Sequence, residues 1–185
     1  MSIRTILTDN APELTKKCHP VTSFNERLHD LLDDLRQTLA DVNGAGLAAP
    51  QIGILRRVAL VADDDDTYLE LVNPVIVEQE GEQEGFEGCL SVPGQWGIVT
   101  RPMRVTVRAQ DRTGKEFSLQ REGMTARCFC HEIEHLDGQL FTTHTDQLYS
   151  SEELEQCMEK QEKERAAKEK RAQKEKARQG AGGKE

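Results

Sequence analysis

Apolar side chains recur every three or four residues in one long stretch near the start of the chain. The stripe consists of Leu28, Leu31, Leu32, Leu35, Leu39 and Val42. This spacing predicts an amphipathic helix whose apolar stripe is buried. Ser23, with Glu26 three residues later, is a candidate capping box for its start, and Asn43-Gly44 is a signal for its end.

Four later stretches are interpreted as strands, and in the last two of them apolar and polar residues alternate. The stretches are residues 56–62, 68–78, 104–110 and 116–120. The first two flank an acidic run at 63–66, which lacks the spacing of an EF-hand calcium loop and is interpreted as a hairpin turn. The last two flank the turn at 111–114 and form a second hairpin, with Val105, Val107 and Ala109 facing inward. Residues 79–88 are polar and glycine-rich, and no helix or strand is predicted there.

The helical period returns at 123–136, with Gly138 available as a left-handed stop. Strands on either side of two helices, without strand–helix–strand alternation, indicate an α+β fold with antiparallel sheets around the second helix. We expect one catalytic domain over residues 1–150. Residues 151–185 are highly charged and are expected to form a helical tail that frays beyond about residue 165.

Composition narrows the class of protein. The 185 residues suffice for one domain with a real core plus an appendage. There is no long apolar run to span a membrane and no secretory signal, so we expect a cytoplasmic, monomeric protein. Five scattered cysteines indicate reduced thiols. The net charge of −9 does not favour nucleic acid, but residues 165–178 hold seven basic side chains that can meet phosphates.

The candidate chemistry begins in the second helix. His131 and His135 are four residues apart, and Glu132 follows the first of them. On a helix these two imidazoles lie on one face and can bind one divalent metal ion. Glu132 can then act as a general base toward water that the metal activates.

The third metal ligand decides the class of enzyme, because a catalytic metal needs about three protein ligands. Phe141 stands where an extended metzincin pattern requires histidine. A thermolysin-like site would take a later glutamate, but the candidates lie in a solvated charge run: Glu152, Glu153 and Glu155. Cys128 shares the helix face and is interpreted as lining a pocket or the core. Cys89, in a loop before proline, is the remaining candidate for a His₂Cys set.

Three segments together resemble the motifs of peptide deformylases, in the family's order and at suitable spacing. They are residues 44–51 (GAGLAAPQ), 87–91 (EGCLS) and 131–135 (HEIEH), and the likeness extends over about residues 3–141. On composition alone, the small residues at 44–51 favour a tightly packed loop. The resemblance makes that segment a candidate wall of the active site.

The resemblance implies removal of the formyl group from N-formylmethionine at the start of new bacterial polypeptides. It implies a metal held by Cys89, His131 and His135, with Glu132 moving the proton. Gln51, through its side chain, and Leu90, through its backbone N–H, would stabilise the oxyanion. The implied substrate-binding residues are Gly44, Ala45, Gly46, Glu87, Gly88, Trp96, Met124 and Cys128. Among them Gly46 would approach the substrate backbone, and Glu87 would pair with Arg101.

The resemblance further implies Fe²⁺, with Zn²⁺, Ni²⁺ or Co²⁺ able to substitute, and nascent formylated peptides as partners. Because the tail of the family is implicated in ribosome contact, the basic tip is a candidate for binding ribosomal RNA. Glu134 departs from the family, which mostly has Asp, and so do Asn10-Ala11 and Thr15 near the start. The alternative is therefore a deformylase-like protein of reduced activity that binds peptides or the ribosome. Trp96, if not at the peptide groove, is a half-buried surface aromatic.

Overall fold

The computed structural model describes residues 2–8, 10–63 and 67–181, with only the backbone for residue 166 and residues 170–181. Its contacts divide the chain into two compact units after Leu148. The first unit holds two helices and two antiparallel sheets, and the second holds the charged helix. The expected α+β fold is confirmed.

The first helix, α1, spans Glu26–Val42 and buries its leucine stripe, as the periodicity predicts. Its start differs from the prediction. The cap is Asn25, whose side chain accepts a hydrogen bond from the Arg27 backbone N–H, so the capping box at Ser23 is wrong. Asn43 ends the helix in the left-handed conformation, as expected. Val42 was expected to be buried but is 38% exposed, because the last turn lies at the edge of a cavity.

The strands of the first unit are β1 (Gly46–Ala48), β2 (Val58–Ala62), β3 (Tyr68–Glu80), β4 (Gln83–Cys89), β5 (Val92–Arg101), β6 (Arg104–Gln110) and β7 (Glu116–Glu122). Short 3₁₀ helices cover Pro12–Thr15, Ala49–Ile52 and Phe141–His144. The larger sheet has the order β1-β2-β3-β6-β7. All four predicted strands are therefore present in it, each within two residues of the expected bounds. Val105, Val107 and Ala109 face the core, as predicted.

The sequence did not predict a strand at residues 79–88, yet most of these residues have extended backbone and belong to strands. β3 runs on to Glu80, and β4 pairs with β5 in the smaller sheet. Glycine and glutamate have low strand propensity, so the pairing with β5 rather than local preference forms this strand. Of the acidic run, Asp64–Asp66 lie outside the described residues. Asp63 is described: its N–H donates to Thr67 O, and its carboxylate pairs with Arg121.

The second helix, α2 (Gly123–Leu136), is covered on its apolar side by the larger sheet. Ala126, Phe129, Cys130 and Ile133 pack with side chains of β2, β3 and β6. Alternate residues of β2 face opposite ways, since Val58 and Leu60 pack with α1 while Val61 packs with α2. Gly138, at φ 76°, follows the end of α2 in the left-handed conformation, as expected.

The second unit consists mainly of helix α3, Ser151–Ala181, which confirms a helical tail. Ser150 and Glu153 cap its start reciprocally: the Glu153 N–H donates to Ser150 Oγ, and the Ser150 N–H donates to Glu153 Oε2. The short strand β8, Leu148–Ser150, lies at the division between the units. Fraying beyond residue 165 stays a prediction. Among the described residues, no helix combines the length and the apolar character needed to cross a membrane.

Candidate metal centre and active site

Helix α2 presents the two histidines and the glutamate of its motif toward one region. The rings of His131 and His135 have centroids 4.9 Å apart, as expected for residues one turn apart on a helix face. The His131 ring also stacks on Phe141, which comes from the 3₁₀ helix after α2. Phe141, the residue that excludes the metzincin pattern, therefore supports one face of a candidate ligand.

The third donor, Cys89, comes from the end of β4. A register shift between Gly88 and Cys89 interrupts the pairing with β5, so the thiol turns toward α2. Cys89 Sγ lies 3.2 Å from His135 Nε2, and one donor atom from each of Cys89, His131 and His135 lies within 4.8 Å of the others. Donors about 2.0–2.3 Å from one tetrahedral metal are roughly 3.5 Å apart, so this group fits a metal ion.

A buried glutamate orients His131. Glu87 Oε2 lies 3.3 Å from His131 Nδ1, which leaves Nε2 facing the cysteine and the second histidine. Burial raises the pKa of Glu87, but its contacts with His131 and Arg101 outweigh burial and lower that pKa to about 2. Burial lowers the pKa of His131, yet its contacts with Cys89 and Glu87 raise it to about 10. The surroundings of His131 therefore favour a positive charge there, whether a proton or a metal ion.

Two arginines and a second glutamate surround Glu87. Arg101 binds Glu87 with a two-point fork at 2.9 and 3.0 Å, which is the pairing that the resemblance implied. Arg101 also donates to Glu134, and Glu134 contacts His144 at 3.1 Å. Arg127 also donates to Glu87, at 2.8 Å, and shares the Oε1 atom with Arg101. Glu134 thus braces α2 against β5, and the longer side chain that departs from the family finds partners.

Glu132 is buried beside β1. Burial raises the pKa of Glu132 to about 7, and its Oε2 has no hydrogen-bond partner among the described residues. A Cβ atom at Gly46 would lie 2.4 Å from Glu132 Oε1. A side chain at position 46 would therefore collide with the glutamate, which is one reason for glycine there. The approach of Gly46 to a substrate backbone stays a prediction. A carboxyl that titrates near neutral pH is suited to move protons.

Gln51 is held rigidly opposite the helix. Its Oε1 accepts a hydrogen bond from the Ala48 N–H at 2.8 Å, which directs Nε2 toward Cys89 Sγ at 3.5 Å and Ser91 Oγ at 3.2 Å. The side chain is 1% exposed. Residues 44–51, which composition alone interpreted as a packed loop, thus contain β1 and the 3₁₀ helix that carries Gln51.

These groups open onto a cavity of about 490 Å³. The cavity is lined by every residue expected at the site except His135: Gly44, Ala45, Gly46, Gln51, Glu87, Gly88, Cys89, Leu90, Trp96, Met124, Cys128, His131 and Glu132. His135 is buried behind the others and contacts Cys89. Trp96 is half-buried and packs over Gly88, where a Cβ atom would meet its ring at 2.7 Å. Trp96 is therefore a half-buried aromatic that lines the cavity, and a role in binding peptide stays a prediction.

Cys128 and Met124 form part of the same wall. Burial raises the pKa of Cys128 to about 12, and its sulfur is not in the group of donor atoms formed by Cys89, His131 and His135. Met124 is 65% exposed. With Val42 from α1, it adds exposed apolar surface to the lining of the cavity.

Sequence reasoning missed three residues of this site. Ser91 was within a quoted motif but had no role; it accepts a hydrogen bond from Gln51, and its N–H points at Cys89 Sγ. Arg127 and His144, which no motif includes, contact the carboxylates behind the candidate ligands. One signal was available, since Arg127 is a charged residue on the apolar side of a helix one turn before His131.

Comparison with known proteins identifies the family. The family model for polypeptide deformylase matches residues 3–151. The chain is 51% identical to the peptide deformylase of Caldicellulosiruptor bescii over 84% of its own length and 93% of that protein. It is 47% identical to peptide deformylase 1 of Bacillus subtilis, over 83% and 97% of the two chains.

Solved structures agree with the sequence matches. A peptide deformylase from Legionella pneumophila superposes with a TM-score of 0.74 at 40% identity, over 90% of this chain and 98% of that one. A peptide deformylase from Thermotoga maritima gives 0.76 at 32% identity, over 80% and 100%. On the match of sequence, fold and motif positions, this chain belongs to the polypeptide deformylase family.

Proposed function

We propose that the protein hydrolyses the formyl amide of formylmethionine at the N-terminus of newly made polypeptides and releases formate. One observation supports this proposal most directly. Donor atoms of Cys89, His131 and His135 lie together, and Glu132 and Gln51 line the same cavity as Cys89 and His131. Membership of the deformylase family supports it. Retention of all these groups disfavours the alternative, a family member of reduced activity kept for binding.

The chain supplies the groups that amide hydrolysis needs. A divalent metal at Cys89, His131 and His135 would polarise the formyl carbonyl and acidify water. Glu132, with its pKa near 7, accepts the proton of the attacking water and returns it to the leaving amine nitrogen. Gln51 Nε2–H and the Leu90 N–H donate to the developing oxyanion, and such a donor contributes about 10²–10³ in rate.

Release of formate from a formyl-Met peptide tests the proposal. Iron-loaded protein should turn the peptide over, whereas Glu132→Gln should lower kcat by about 10²–10⁴ while keeping its metal. Equal rates for both proteins would remove the role of Glu132. No formate from either would remove the proposed reaction, and cleavage of unformylated peptides would indicate a general metallopeptidase instead.

We propose Fe²⁺ as the physiological metal, with Zn²⁺, Ni²⁺ or Co²⁺ able to replace it. Imidazole and thiolate ligands bind all four ions, so the donor set alone does not select among them. Metal analysis of protein purified without oxygen checks the assignment. Iron near one equivalent per chain is the expected result, and stoichiometric zinc would contradict it.

We also propose that the protein works in the cytoplasm as a monomer, and that basic residues within 165–178 meet ribosomal RNA. Seven positive charges against two negative ones in that stretch support a phosphate contact. Deleting residues 165–185 should weaken ribosome binding at low salt and leave peptide hydrolysis intact. Unchanged ribosome affinity would remove the contact, and sedimentation of the full chain checks the monomer.

A further inference from the structure

The three candidate ligands come from two elements of the structure. Cys89 lies at the end of β4, in the β4–β5 hairpin, and both histidines lie on α2. The separation of thiol and imidazoles therefore depends on how the hairpin is fixed to the helix. A shift of even 1 Å between them would spoil the ligand distances, since metal–ligand bonds vary by only about 0.2 Å.

Arg127 reaches from α2 into the hairpin. Its side chain is 6% exposed, and its guanidinium donates to three backbone carbonyls of β4 and β5: Gln83 O at 3.2 Å, Gly85 O at 3.5 Å and Val99 O at 3.0 Å. It also donates to Glu87 Oε1 at 2.8 Å. A single buried side chain of the helix thus binds both strands of the hairpin that carries Cys89.

Arg101 makes the reciprocal connection. It extends from β5 to Glu134 on α2, and its fork holds both carboxylate oxygens of Glu87, one of which also accepts from Arg127. Two arginines therefore bind Glu87: Arg101 comes from the hairpin and Arg127 comes from the helix. Its remaining contact is to His131 Nδ1. The position of Glu87, and with it the orientation of the His131 ring, depends on both arginines.

We infer that Arg127 is a positioning residue of the metal centre. It acts through Glu87 on the His131 ring, and through the hairpin backbone on the distance between Cys89 and the histidines. The inference rests on the metal site proposed above and adds to it a residue outside the candidate ligand set.

The shape of the side chain matters as well as its charge. Arg127 uses both terminal nitrogens, one toward Gln83 and the other toward Glu87 and Val99. Lysine offers a single ammonium and cannot reproduce that planar fork. A lysine at position 127 therefore keeps the charge beside Glu87 but loosens the hairpin, which separates positioning from simple charge balance.

Metal affinity and cobalt absorption test the inference. Wild type, Arg127→Lys and Arg127→Met are loaded with Co²⁺, and the dissociation constant is measured by competition with a chelator under conditions where all three are folded. Arg104→Lys and Arg104→Met are matched controls, because Arg104 is 44% exposed and pairs only with surface carboxylates among the described residues. Circular dichroism confirms the fold of each protein.

We expect Arg127→Lys to bind Co²⁺ about 10-fold more weakly and Arg127→Met up to about 100-fold, the range typical of groups behind metal ligands. The thiolate-to-cobalt absorption should shift in both, while the Arg104 variants match wild type. If Arg127→Lys keeps wild-type affinity and spectrum, the inference is overturned, even if the variant is less stable. Failure of wild type itself to bind Co²⁺ would overturn the proposed metal site and this inference together.

Discussion

Glu132 and Gly46 share one side of the cavity at a separation that leaves no space for a methyl group. The glycine allows a buried carboxyl to sit against β1, and burial in turn raises the pKa of Glu132 to about 7. Gln51, in the 3₁₀ helix that follows β1, is fixed by the Ala48 N–H. At this scale the chemistry depends on small residues and backbone groups as much as on the ligands themselves.

Replacement of Gly46 by alanine tests this arrangement. The added Cβ would meet Glu132 Oε1 at 2.4 Å, so the carboxylate has to move. We expect kcat to fall by about 10²-fold, as for other displacements near 1 Å, with metal content unchanged because no ligand is touched. Formate release and metal analysis on the same preparation check this, and full activity in Gly46→Ala would contradict it.

Glu134 offers a second test at the scale of one side chain. It contacts both Arg101 and His144, and the family mostly has the shorter Asp here. We expect Glu134→Asp to lose one partner and to cost about 1 kcal/mol in the free energy of unfolding. The melting temperature should fall by roughly 2–4 °C.

A double-mutant cycle with His144→Ala identifies the partner that is lost. If Asp no longer reaches His144, the His144→Ala change should cost less in the Glu134→Asp background than in wild type. Equal costs in the two backgrounds, or an unchanged melting temperature in Glu134→Asp, would show that the longer arm is not needed.

At the scale of elements, helix α1 and the larger sheet are joined by ion pairs as well as by leucines. Glu70 on β3 accepts hydrogen bonds from Arg36 on α1 and from Arg112 in the β6–β7 turn. Arg112 also pairs with Asp33 of α1. Burial raises the pKa of Glu70, but both arginines outweigh it and leave the pKa below its usual value.

The lowered pKa of Glu70 predicts how stability depends on pH. The stabilisation is present above the unfolded-state pKa, near 4.5, and is lost as the pH falls through the folded-state value. Glu70→Gln should therefore cost roughly 1–2 kcal/mol at pH 7 and much less at pH 3. Urea unfolding at both pH values measures this. Glu78→Gln, an exposed site on the same strand, is the control, and an equal cost at both pH values would contradict the prediction.

At the scale of the molecule, the first unit contains the whole candidate site, drawn from α2, the β4–β5 hairpin and residues 44–51. The second unit is a charged helix with ion pairs one turn apart, such as Lys163 with Glu159. The family model matches residues 3–151, which include nearly all of the first unit and only the first residue of α3.

Removal of the metal should lower the stability of the first unit. Because the ligands join two elements, binding should stabilise the folded state over the unfolded one. At a free metal concentration 100 times Kd, this amounts to about 2.7 kcal/mol, or roughly 5–10 °C in melting temperature. A chelator should lower the melting temperature of wild type by that amount but not that of Cys89→Ser, and an equal response of both proteins would contradict the assignment of Cys89.

Local patterns in the sequence were sufficient to predict much of the fold. Helix α2, the β6–β7 hairpin and the leucine stripe follow from periodicity, because side chains three, four or two residues apart share a face whatever the tertiary structure. The candidate ligands were implied by three motifs that occur in the order of a known family, and the structure brings their donor atoms within 4.8 Å of one another. Ser23 was a plausible cap by the same reasoning, yet Asn25, equally suited, is the cap.

Tertiary structure alone decided what lies between elements distant in sequence. Strand β4 exists because β5 pairs with it, and Arg127 meets Glu87 across 40 residues of sequence. Neither a glycine-rich strand nor a buried ion pair produces a periodic pattern of apolar residues in the sequence. The motifs in the sequence indicated which side chains could bind a metal and move a proton. Packing of the hairpin on α2 decided their distances, their burial and the pKa of Glu132, because these depend on neighbours that no local pattern names.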